Sequence, residues 1–244
     1  MSAVSNLKVK LFADGADLAG IKEMATNPAI KGFTTNPTLM RKAGVANYKA
    51  FALQALQVVG GRPISFEVFA DEFGEMEKQA HEIASWGKNI YVKIPVTNTK
   101  REFSGALVER LSRSGVQLNV TALMTVDQVR RVTERLAPET PAIISVFAGR
   151  VADTGRDPLP IMAEAVKTMK KKPKSELIWA SPRELLNIFQ ANEVGCHIIT
   201  ATNDIIKKLS LVGKDLDAYS LETVEMFYKD AKTAGYSITT RAAA

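Results

Sequence analysis

Asn89-Ile90-Tyr91-Val92-Lys93-Ile94-Pro95 alternates strictly, with Ile90, Val92 and Ile94 on one side and Tyr91 and Lys93 on the other. Alternation with a period of two is the mark of a strand, whose successive side chains point to opposite faces. If the aliphatic side faces a layer of helices, Tyr91 and Lys93 face whatever the sheet encloses. Lysine is almost never fully buried without a reason, because desolvating an ammonium is expensive. The same burial favours the neutral amine that addition to a carbonyl requires.

Similar apolar runs recur along the chain at 9–14, 32–36, 64–69, 90–95, 116–121, 142–147, 177–180 and 196–200. Helical spacing fills the intervals: Phe51, Ala52, Ala55, Leu56 and Val59 share one face, as do Val126, Val129, Val132 and Leu136, and Ile161, Met162, Ala165, Val166 and Met169. Strands alternating with helices imply βαβ units and a parallel sheet. Eight such units predict a closed eight-stranded (β/α) TIM barrel, and 244 residues suit one barrel as a single domain over 1–244. An open doubly wound sheet is the competing architecture. It usually carries a glycine-rich loop after its first strand, whereas here that strand runs into Ala13-Asp14-Gly15-Ala16-Asp17. A surplus apolar pattern, Leu221, Val224, Phe227, Tyr228 and Ala231, predicts an extra C-terminal helix over about 221–234, lying across the barrel or a neighbouring subunit. The last residues, 239–244, are expected to fray.

Hydrophobic residues make up 46% and charged residues 24% of the chain, which fits a soluble globular protein with a sizeable core. No apolar run reaches the ~20 residues of a membrane span, and the first residues lack the pattern of a signal peptide. Cys196 is the single cysteine, so the expected setting is the reducing cytoplasm. The formal charge of +6 favours anionic partners without choosing among them. Its densest run, Lys170-Lys171-Lys172-Pro173-Lys174, reads as the solvated end of a helix, where cations complement the helix dipole. His81 and His197 are the only histidines, too few for a multi-histidine metal site; His197 and Cys196 read as packed residues.

Barrel enzymes carry their chemistry at the C-terminal ends of their strands. Those ends hold Asp14, Asn36, Glu67, Lys93, Asn119 with Thr121, Ser145, and Ser181 with Arg183. Parity turns Glu67 and Asp14 inward beside Lys93, which describes an acid/base constellation or, equally, a buried ion-pair network. Ser181-Pro182-Arg183-Glu184 has the form of a capping box with proline at the first helical position, so a helix is expected to start directly after the seventh strand. With Arg150 and Arg183, its free N–H groups would make a phosphate cradle.

These segments resemble the transaldolase family. Gly32-Phe33-Thr34-Thr35-Asn36-Pro37-Thr38-Leu39 resembles its T-T-N-P segment, and Val92-Lys93-Ile94-Pro95 its Schiff-base lysine segment. Asn119-Val120-Thr121, Ser145-Val146-Phe147-Ala148-Gly149-Arg150 and Ala180-Ser181-Pro182-Arg183 resemble its later motifs, in order over roughly residues 9 to 204. The resemblance implies that Lys93 attacks the C2 ketone of a ketose phosphate and that Asp14 moves the C4 hydroxyl proton. It implies that Glu67 assists Schiff-base formation through a water shared with Thr121. Asn36, Asn119 and Ser145 would hold the dihydroxyacetone unit, and Arg150, Ser181 and Arg183 the phosphate. No metal or organic cofactor is implied, because the protonated imine is itself the electron sink.

Fructose 6-phosphate aldolases are similar in length but carry Gln at the position of Glu67 and Tyr at that of Phe147, so these two residues favour transfer over simple cleavage. Gly15 departs from the Ser or Thr common in the family beside the general base. The resemblance further implies carbohydrate metabolism of the pentose phosphate type, phosphorylated sugar substrates, no nucleic-acid or membrane partner, and a homo-oligomer between dimer and decamer. An aldolase, an enzyme of a specialised sugar pathway, and a catalytically silent or nucleic-acid-binding barrel are the alternatives, the last lacking any nucleic-acid motif.

Overall fold

The computed structural model describes residues 3–240, which fall into two compact units: Leu7–Lys208, and a second drawn from the chain ends. In the first unit, eight strands close a barrel: β1 (Lys10–Asp14), β2 (Ile30–Thr34), β3 (Ile64–Glu67), β4 (Ile90–Pro95), β5 (Leu118–Leu123), β6 (Ala142–Val146), β7 (Ser175–Trp179) and β8 (Ile198–Ala201). Each pairs in parallel with its neighbours in sequence, and β8 returns to β1 through Lys10↔Ile198 and Leu11↔Ile199. The helices used below are α1 (Leu18–Thr26), α2 (Pro37–Lys42), α3 (Tyr48–Val59), α4 (Phe73–Ser85), α5 (Gly105–Arg113), α6 (Val126–Arg135), α7 (Ala148–Ala152), α8 (Leu159–Met169), α9 (Leu186–Glu193) and α10 (Asn203–Lys207). All eight expected strands are present, so the fold is a TIM barrel.

Hydrophobic periodicity drives this arrangement. Ile90, Val92 and Ile94 are buried against the helical layer, and the helical positions Phe51, Ala52, Ala55, Val59, Val129, Val132, Met162 and Ala165 are buried against it in return. Inside the barrel, Phe12, Ile143, Ile178 and Ile198 form an apolar plug, against which Tyr91 packs. Gly32 lies opposite Phe12 in the β1–β2 register, and a Cβ there would come within 2.4 Å of the Phe12 ring. Only glycine admits that ring to the barrel axis. One step further along each strand the lining turns polar, at Asp14, Thr34, Glu67, Lys93, Asn119, Ser145 and Thr200. The barrel thus has a dry floor and a polar mouth.

Several strand limits differ from the expected ones. β2 ends at Thr34 rather than Asn36, because Asn36 Oδ1 accepts the N–H of Leu39 and Pro37 opens α2. β5 runs on to Leu123 through an irregularity at Ala122, whose φ of 66° is left-handed. The expected capping box at Ser181 does not form. Ser181 itself has a left-handed φ of 61°, and α9 starts only at Leu186 without a side-chain cap. The N–H groups of Arg183 and Glu184 are instead taken by Asn187 Oδ1. The basic run does close α8, with Lys170 as its C-cap and Lys172 donating to the Leu136 carbonyl at the end of α6.

In the second unit, a C-terminal helix, α11 (Leu216–Thr233), starts earlier than expected, capped by Asp215 through the N–H of Ala218. Its Leu221, Val224, Phe227 and Tyr228 are exposed. Of the stretch expected to fray, residues 241–244 lie outside the described residues. Among the described residues, no helix is long and apolar enough to cross a membrane.

Candidate active site

The polar mouth of the barrel opens into a cavity of about 550 Å³. Lys93, on β4, is 6% exposed and lines it. Its Nζ lies 2.9 Å from Glu67 Oε2 and donates to the Thr35 carbonyl at 2.8 Å. The β3–β4 register places Glu67 directly beside Lys93, as parity requires. Lys93 and Glu67 thus form a buried ion pair at the centre of the inward-facing group read from parity.

Asp14 ends β1 across the mouth. Burial pushes its carboxyl above the ordinary carboxylate range, against the opposing pull of Lys93 and of the Thr34 hydroxyl. Thr34 Oγ1 donates to Asp14 Oδ1 at 2.7 Å and sits 2.5 Å from Thr200 Oγ1. Because the Thr34 proton is committed to Asp14, Thr200 is the donor in the second contact. A three-residue relay across β8, β2 and β1 thus aims the Asp14 carboxylate. A base whose proton affinity is raised by burial is better matched to taking a proton from an alcohol.

On the far wall, Ser145 Oγ donates to Asn119 Oδ1 at 2.7 Å, and Asn119 Nδ2 donates to Ser65 Oγ at 3.0 Å. This chain fixes the orientation of the Asn119 amide. Thr121 Oγ1 is buried beside it without a hydrogen-bond partner inside the protein, a polar atom still free to act. Asn36 faces the same cavity, with its Oδ1 spent on capping α2 and its amide hydrogens left over.

At the rim, β6 and β7 present three polar side chains. Gly149 packs so closely on the Ser181 backbone that a Cβ would fall 1.6 Å from the Ser181 carbonyl oxygen. That approach accompanies the left-handed turn at Ser181, a local strain of a kind concentrated at functional sites. Arg183 is held by two hydrogen bonds to Asp153 and a third, at 3.2 Å, to Ser181 Oγ. The Arg150 guanidinium lies 5.7 Å from the centre of the Phe147 ring. The pairing holds the Asp153 carboxyl below the usual range and raises Arg183 above it, so both stay charged at any ordinary pH. Asp14, Asn36, Glu67, Lys93, Asn119, Thr121, Ser145, Phe147, Arg150, Ser181 and Arg183 all line this one cavity.

A family model described as Transaldolase/Fructose-6-phosphate aldolase matches residues 11–242. The chain belongs to the transaldolase/fructose-6-phosphate aldolase family. It is 33% identical to a probable transaldolase of Dehalococcoides mccartyi over 202 residues, 82% of this chain and 90% of that one. It is 32% identical to a probable transaldolase of Thermoanaerobacter sp. over 231 residues, 94% of this chain and the full length of the relative. Among solved structures, 2,3-dimethylmalate lyase superposes with a TM-score of 0.53 at 11% identity, covering 98% of this chain and 88% of that one, a likeness of fold alone.

Thr34, Thr200 and Lys42 also line this cavity. Thr200 ends β8 at inward parity and was legible as the eighth member of the strand-end set. Thr34 was legible by the same alternation. Lys42, an exposed amine on α2, also lines the cavity, and nothing in its local sequence marks it. The two packed residues behave as expected. Cys196 is buried with its thiol pushed up to about 12 by desolvation. Burial lowers the His197 pKa, and its Nδ1 accepts the Leu177 N–H. Among the described residues, no three His, Cys, Asp or Glu side chains are grouped as a metal ion would need.

Proposed function

We propose that this protein is a transaldolase, transferring a dihydroxyacetone unit from sedoheptulose 7-phosphate or fructose 6-phosphate to glyceraldehyde 3-phosphate or erythrose 4-phosphate. The observation that carries this reading is a buried Lys93 amine in contact with the Glu67 carboxylate, with Asp14 lining the same cavity. Glu67 takes a proton from Lys93, whose free amine adds to C2 of the ketose. Glu67 then gives that proton to the carbinolamine hydroxyl, which leaves as water, and a protonated imine remains. Asp14 removes the C4 hydroxyl proton as the C3–C4 bond breaks, and that electron pair flows into the imine to form an enamine. The aldose phosphate leaves and an acceptor aldose phosphate takes its place. The enamine attacks its carbonyl carbon, Asp14 returns the proton, and hydrolysis frees Lys93. Asn36, Asn119 and Ser145 hold the three-carbon unit meanwhile, and Arg150, Ser181 and Arg183 grip the phosphate. Thr121 Oγ1, free of protein partners, is suited to holding the water that enters and leaves.

The family also contains aldolases that release dihydroxyacetone. Glu67 and Phe147 favour transfer, because the apolar Phe147 ring supplies no hydroxyl to protonate the enamine before an acceptor arrives. Fructose 6-phosphate consumption should therefore depend on added erythrose 4-phosphate, measured by coupled detection of glyceraldehyde 3-phosphate. Rapid cleavage without acceptor, with free dihydroxyacetone accumulating, would make the protein an aldolase or a relative serving a specialised sugar pathway. Phe147→Tyr is expected to raise acceptor-free cleavage by roughly 10²-fold, the low end of what a placed proton donor brings. No rise would remove Phe147 from this role. The exposed apolar residues of α11 support a homo-oligomer, with that helix as a subunit contact.

A further inference from the structure

The catalytic carboxylate sits at a defect in the sheet. β2 pairs with β3 only through Phe33↔Ile64 and Thr34↔Ser65. Thr35 extends the contact by one step, its N–H and hydroxyl both donating to the Ser65 carbonyl at 3.2 and 2.8 Å. Beyond it the chain turns into α2 through Asn36 and Pro37, and proline has no N–H to offer. Glu67 follows Ser65 by two residues, so its N–H and carbonyl face the same neighbour that β2 has just vacated. Two backbone groups on the residue that carries the carboxylate would be left without a strand partner, and an unmet buried pair is destabilising.

The gap is filled from α3. The Glu67 N–H donates to Tyr48 Oη at 2.8 Å, and Tyr48 Oη donates to the Glu67 carbonyl at 2.9 Å. One hydroxyl thus takes the place of a strand residue. Its ring is clamped edge-on by Phe66, Phe69 and Trp86, at centroid distances of 6.1, 4.5 and 5.7 Å. Burial raises the phenol pKa well above its ordinary value, so the proton that bonds the Glu67 carbonyl is retained throughout the working pH range.

We propose that Tyr48 is a positioning residue for Glu67: its hydroxyl stands in for the missing β2 partner and holds the Glu67 backbone where the carboxylate meets Lys93. The proposal rests on the Schiff-base reading of Lys93 and Glu67. Tyr48 is not among the residues that line the cavity around Lys93, so it acts through Glu67.

Turnover and donor KM are compared in the native protein, Tyr48→Phe, Glu67→Gln and the double variant. Tyr48→Phe is expected to lower kcat roughly tenfold, as the loss of two modest hydrogen bonds allows, with donor KM changed less than about twofold because the phosphate grip is untouched. In the Glu67→Gln background the same substitution should lower kcat by less than about twofold, the non-additivity of residues acting as a unit. A full tenfold further loss in that background, or an unchanged kcat in the single variant, overturns the proposal. A Glu67→Gln variant with native activity overturns the underlying reading of Glu67 instead. Hydrogen–deuterium exchange in the unmodified protein supplies a test that needs no variant to fold. The Glu67 amide should be protected to a degree similar to that of strand amides, and exchange at the rate of an open loop overturns the proposal.

Discussion

Asp14→Asn is expected to lower transfer activity by roughly 10²–10⁴-fold, the usual contribution of a placed general base, while making the fold more stable. The two effects have one cause. Burial is the largest influence on Asp14 and raises its pKa, so folding favours the protonated acid over the carboxylate. The stability tied to this group is fully present below the ordinary value of 3.8 and is lost as pH rises through the folded-state value. The ionised carboxylate that the reaction uses is therefore a burden that the fold carries for function. Asparagine removes the charge and keeps an oxygen to accept the Thr34 hydroxyl. A gain of about 1 kcal/mol would raise the melting temperature by roughly 2–4 °C for a domain of this size. The gain should shrink as the pH is lowered and native Asp14 takes up its proton. Thermal melts at several pH values, with turnover at neutral pH, check both halves. Activity within tenfold of native would remove Asp14 from the role of base.

Arg183→Ala is expected to raise KM for a ketose phosphate by roughly 10–100-fold, as hydrogen bonds to a charged group are worth about 1.5–3 kcal/mol. Imine formation with unphosphorylated dihydroxyacetone, which makes no use of the phosphate grip, should change little. Arg183 enters the site already oriented by Asp153 and Ser181, so its guanidinium needs little ordering when a phosphate arrives. The effect should weaken in high salt, because Arg183 lies at the exposed rim. An equal loss with both substrates would mean that Arg183 supports the loop and not the phosphate.

The eight strands were legible because each is bounded by polar turns and buries an aliphatic face, and parity alone carried Lys93 and Glu67 to the barrel interior. What parity could not reach were contacts made by closure. Thr34 meets Thr200 only because β8 returns to β1 beside β2, and the two residues lie 166 positions apart in the chain. The Ser181 capping box failed for a related reason. Its local pattern was complete, but Asn187 satisfied the N–H groups of Arg183 and Glu184 from within α9, and Gly149 packed against a turn that no capping serine adopts. Tyr48 gave no signal, since a tyrosine opening a helix is ordinary until the end of β2 exposes the backbone it serves. Arg150, Ser181 and Arg183 all line the cavity, while the helix expected to begin beside them starts further along the chain.

Borohydride reduction in the presence of fructose 6-phosphate, read by intact mass and peptide mapping, tests the Schiff base most directly. The native protein should gain one stable dihydroxyacetone adduct on the peptide containing Lys93, and Lys93→Ala should gain none. No adduct on the native chain, or an undiminished adduct after Lys93→Ala, would contradict the covalent mechanism.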